Sequence, residues 1–95
     1  MGLRFDHGAN GDVDTTAEQL ITTSIAPTIG ILIKASNANT GIIYVGNSDV
    51  TAGTVDATDG FELNAGESLL IEGRDASEIY VRASAVNQRV SYIVI

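Results

Sequence analysis

A chain of 95 residues that is 44% hydrophobic and 18% charged folds as one domain, too small for a deep cleft between domains. Its net charge of −7, with five scattered Lys and Arg, argues against nucleic acid and against an anionic membrane surface as partners. With no cysteine there is neither a disulfide framework nor a thiolate to act as nucleophile or metal ligand.

The first segment, "MGLRFDHGANGDVDTT", has no charged n-region followed by an apolar h-region, so it does not read as a signal peptide. Asp6 stands where a myristoylation signal needs Ser or Thr. Three glycines and three aspartates leave few large apolar groups, so residues 1–16 read as an extended N-terminal arm ahead of a single domain, 17–95. Leu3 and Phe5 alternate with Arg4 and Asp6, a strand pattern too short to stand alone. That pattern suits a strand donated to a neighbour, mobile until docked, with Leu3 and Phe5 as anchors. The single histidine, His7, lies in this arm and reads as solvated.

Short runs rich in β-branched residues follow: "AEQLITTSIA" (17–26), "IGILIKA" (29–35), "IIYVG" (42–46), "ESLLIE" (67–72), "EIYVRAS" (78–84) and "RVSYIVI" (89–95), with "GFEL" (60–63) as a very short addition. Pro27, the stretch 37–41, Gly60, 64–66, 73–76 and Asn87 punctuate them, which predicts an all-β sandwich or barrel. Gly66 in "LNAGESLLI" is expected at a positive φ in a tight turn. In "EIYVRAS", Ile79, Val81 and Ala83 point one way and Tyr80, Arg82 and Ser84 the other, the pattern of a strand with one wet face. "IIYV" and "SYIVI" are apolar on both faces. Either loops or the arm cover the second face within one chain, or a neighbouring subunit does.

The chemistry is sparse. Nucleophilic catalysis needs a positioned base, and His7 in an arm does not supply one. Asp49, Asp56 and Asp59 share the long loop 46–60, yet they lack the D-x-D-x-D-G spacing of a calcium loop, and solvated loop charges are the simpler reading. Glu67, Glu72, Asp75 and Glu78 surround one hairpin and read as residues that keep an edge soluble. The Gly-Glu step into a strand occurs in cupins, but cupin metal sites need paired histidines. No catalytic residue, cofactor or metal is expected.

Three stretches, "NTGIIYVGNSDVTAG", "GFELNAGESLLIE" and "EIYVRASAVNQRVSYIVI", resemble small structural proteins and C-terminal modules encoded among tailed-bacteriophage virion genes. The shared signature is an N-T-G-x-[IV]-Y-[VI]-G turn and strand, a G-[FY]-x-L-x-[AP]-G-E-S hairpin and a closing V-S-Y-[IVL] strand, spread over residues 15–95. The resemblance implies a small antiparallel β-sandwich, jelly-roll-like, and a capsid decoration (cement) protein. Such a protein is made in the host cytoplasm and seated as a homotrimer on the outer surface of the head, bracing the major capsid protein. Carried over by type, Ile42, Tyr44, Tyr92 and Val94 are the subunit-packing residues, and Leu3 and Phe5 dock the arm. The same composition suits a tail, fibre or baseplate accessory protein. A carbohydrate-binding module would carry exposed aromatics on a flat face, and this chain has no Trp and three Tyr.

Overall fold

The computed structural model describes residues 5–51 and 58–95. Eight strands run in chain order: β1 (Asp6–Val13), β2 (Glu18–Gln19), β3 (Gly30–Ala35), β4 (Ile43–Gly46), β5 (Phe61–Leu63), β6 (Ser68–Glu72), β7 (Tyr80–Ala83) and β8 (Gln88–Val94). A single 3₁₀ turn, Ala76–Glu78, is the one helical element among the described residues. Sheet I has the order β1-β8-β3-β6 and sheet II the order β2-β7-β4-β5, and neighbouring strands in both are antiparallel. The chain is all-β, as its punctuated β-branched runs predict.

The strand pairs follow one rule: β1 with β8, β2 with β7, β3 with β6, β4 with β5. The chain is therefore one long hairpin whose successive rungs pass alternately to sheet I and sheet II. The β3–β8 and β4–β7 ladders then join the rungs sideways. Alternation sorts the faces. Ile31, Ile33, Val90 and Val94 of sheet I meet Ile43, Val45, Leu63 and Val81 of sheet II, all essentially without solvent contact. Each such side chain contributes roughly 1.5–3 kcal/mol relative to exposure. Tight closure shows in the size: the radius of gyration is 12.6 Å, against about 12.4 Å expected for this length.

"AEQLITTSIA" forms a much shorter strand than predicted. Only Glu18 and Gln19 pair with β7, after which the segment crosses the end of the sandwich and plugs it with Leu20, Ile21 and Ile25. Asp75 holds this plug. One of its carboxylate oxygens accepts from the Ser77 amide (2.9 Å), the Ser77 hydroxyl (2.8 Å) and the Ile25 amide (3.2 Å), and the other from the Ser24 hydroxyl (2.8 Å). Those donors hold its carboxyl below the usual range, the Ser77 amide most of all, the two hydroxyls next, and Ile25 N–H adding to them against a small opposing effect of burial.

The segment expected as a free arm is a correction. Residues 6–13 are β1, the edge strand of sheet I, in register with β8 from Asp6–Val94 to Asn10–Val90 and, past a bulge, Val13–Gln88. Val13 is fully buried, and the Asp14 carbonyl accepts from Ala83 N–H at 2.7 Å, so β1 belongs to the same folded unit as residues 17–95. One of the small residues that suggested a floppy arm has a packing cause: the ring of Tyr92 lies against Gly8 so closely that a side chain there would collide with it. What remains of the arm's docking anchors is Phe5, at the end of β1; Leu3 lies outside the described residues.

The quoted turn motifs are structural. The Asn39 side chain imitates a strand partner, donating to the Arg89 carbonyl and accepting from its amide, both at 2.8 Å. The buried Gln88 carboxamide accepts from Thr40 and Gly41 N–H (2.9 and 2.8 Å) and donates to the Val86 carbonyl (2.8 Å). Gly66 has φ +86°, as the tight turn predicts, and Glu67 clamps that turn through Asn64 N–H at 2.7 Å.

Candidate functional site

The outward faces of the two sheets differ in what covers them. On sheet II the β4 residue Tyr44 points away from the main core, yet it is only 5% exposed. The described part of the loop 46–60 folds back over it: Thr51 N–H bonds the Thr58 carbonyl (2.9 Å) and Gly60 N–H the Thr51 carbonyl (3.0 Å). Buried Val50 then lies on Gly60, and Gly60 lies on Tyr44, so close to both that a methyl group between them would collide. Burial pushes the Tyr44 phenol above its ordinary value, Glu62 and then Asp59 push it further, and Arg82 opposes them. The chain itself therefore covers the second face of "IIYV".

Sheet I has no such cover among the described residues. Register aligns His7 with Ile93, Ile93 with Leu32 and Leu32 with Leu70, so one outward row crosses all four strands. Its aliphatic members Ile93, Leu32 and Leu70 are 39%, 37% and 44% exposed. Phe5 and Ile29 stand exposed beyond one side of this row, and Lys34 and Arg89 rise from β3 and β8 on the other. With the small Ala9 on the β1 side, the surface dips into a hollow of about 410 Å³ over Leu32, Lys34, Ser91 and Ile93. A second opening, about 520 Å³, lies at the β5/β6 end of the sandwich between Phe61, Leu69, Ile71 and Ile79, beside the Arg74–Glu78 ion pair (3.5 Å).

The residues picked as subunit-packing groups fall in four different settings. Val94 is fully buried in the chain's own core and is not available to a neighbour, because β8 turns Val90 and Val94 inward and Ile93 outward. Tyr44 is covered by its own loop. Tyr92 is half-buried under β1. Ile42 is half-buried ahead of β4, its amide donating to the Ser84 hydroxyl at 2.9 Å. Phe5 is 73% exposed at the rim of sheet I. His7 lies on the open face beside Ile93. Asp56 is outside the described residues, while Asp59 accepts from the Thr51 hydroxyl at 2.8 Å. Among the described residues no three of His, Asp and Glu come together as metal ligands would. Leu32 and Leu70, two members of the open row, were not singled out in sequence, although "ILI" and "LLI" are as apolar on both faces as "IIYV".

No family model matches the chain, and neither a curated protein nor a solved structure proves similar to it.

Proposed function

We propose that the chain is a non-enzymatic virion structural protein, a phage capsid decoration protein that binds the major capsid protein on the outer surface of the head. The observation that carries this reading is the apolar row of Ile93, Leu32 and Leu70 left open across sheet I; exposed apolar surface of this kind marks a contact site. The jelly-roll reading is supported by the pairing rule that sends alternate rungs of one long hairpin to the two sheets, an architecture common in virus capsids. Exposed Phe5 at the end of β1 supports a partner contact at this rim.

Counting copies per particle tests the proposal. Quantitative mass spectrometry of purified virions of the phage encoding this chain is expected to find hundreds of copies, in heads. A handful of copies, in tails, would favour a fibre or baseplate accessory role, and absence from virions would overturn both. Light scattering on the free protein checks the expected trimer.

A further inference from the structure

The hollow on sheet I assigns the docking surface a definite chemistry. The two central strands present outward Arg89, Ser91 and Ile93 from β8 and Leu32 and Lys34 from β3, with two cations and no carboxylate among them. Carboxylates on this sheet lie on its edge strands, with Glu72 at the end of β6 and Asp6 and Asp12 on β1. In a chain of net charge −7 the central strands of this face carry two cations, against one, Arg82, on those of sheet II, where it shares a row with Tyr44 and Glu62; on sheet I the cations lie to one side of the aliphatic row. We propose that this face seats an acidic protein surface: an aliphatic side chain of the partner enters the hollow over Leu32 and Ile93, and partner carboxylates meet Lys34 and Arg89.

Charge sets aside a second copy of the chain as the occupant. Like faces would bring cationic centres together inside an otherwise acidic pair, which costs affinity. Nucleic acid fits poorly, since two cations beside an aliphatic row do not follow a phosphate backbone. The opening at β5/β6 has no comparable charge pattern, as Arg74 there is already paired with Glu78.

The partner's identity rests on the decoration reading, whereas the chemistry of the face does not, and the experiment separates them. Binding of purified undecorated heads and of purified tails is measured at low and high salt for wild type, Leu32→Ser/Ile93→Ser, Lys34→Glu/Arg89→Glu and the control Phe61→Ser at the other opening. Thermal melting confirms that each variant is folded, and Lys34→Gln/Arg89→Gln replaces the charge reversal if that one does not fold. Wild type is expected to bind heads more weakly at high salt. Each sheet I pair should lose at least about tenfold in affinity, and Phe61→Ser should lose little. The charge variant should also lose the salt dependence. Equal head binding by wild type and both pairs overturns the surface assignment and leaves the decoration reading standing. Binding to tails alone, with the same losses, overturns the decoration reading and supports the surface. Binding to neither particle, or self-association that Ile93→Ser abolishes, overturns the assigned partner.

Discussion

On sheet II the chain closes its own outer surface; on sheet I it leaves the surface open. "IIYV" and "SYIVI" look alike as strings, yet Tyr44 is 5% exposed and Ile93 is 39% exposed. The difference comes from a neighbour in sequence. β4 is followed by a loop that returns over Tyr44 through Val50 and Gly60, whereas among the described residues no segment returns over Ile93. A strand apolar on both faces thus calls for cover, and a returning loop decides whether these residues supply it.

The largest effect should come from exchanging inside for outside within β8. Val94→Asp buries an uncompensated charge and is expected to abolish folding, whereas Ile93→Asp one residue earlier should shift stability by no more than about 0.5 kcal/mol. Circular dichroism melts of the two decide it, and equal stability would contradict the facing assigned to β8. Next, Tyr44→Ala should cost about 3 kcal/mol in urea unfolding, as for a buried aromatic, although Tyr44 lies outside the main core. A loss near zero would mean that the loop does not cover it. Gly60→Ala sharpens the same point: overpacking between Val50 and Tyr44 should cost about 1–3 kcal/mol.

The smaller effects appear in pH scans. The Tyr44 phenol is raised in the folded state, so its contribution is intact below about pH 10 and lost as pH rises beyond that, through the folded value. Tyr44→Phe should flatten the alkaline fall in melting temperature. The Asp75 carboxyl is lowered instead, so its contribution is intact above about pH 4 and lost as pH falls through the folded value. Asp75→Asn should lower the melting temperature near neutral pH and remove part of its acid dependence; an unchanged acid profile would show that the plug at Ile25 stands without it.

The features legible in sequence were those set by local rules. Period-two alternation placed Ile79, Val81 and Ala83 inward, and turn chemistry placed Gly66 at positive φ. β1 was not legible because its Gly8 answers to Tyr92, a residue distant in the chain, and no local pattern records that fit. The plug at 20–25 was missed for a related reason: its apolar residues fill the end of the sandwich without pairing, so composition promised a strand and topology withheld the partner. One of the three aliphatic residues of the candidate surface was within reach, since Ile93 lies in a run already recognised as two-sided. Leu32 and Leu70 needed the register that aligns them in one row.

The pairing of first rung with last has a consequence for the order of folding. β8 occupies an interior place in sheet I, between β1 and β3. Until β8 docks, β1 has no partner in this sheet and β3 has only β6. Completing sheet I therefore waits on closure of the span between Val13 and Gln88, a contact of high sequence separation that sets its rate. A chain with sheet II paired and sheet I gaping is the state most exposed to proteases and to its own aggregation.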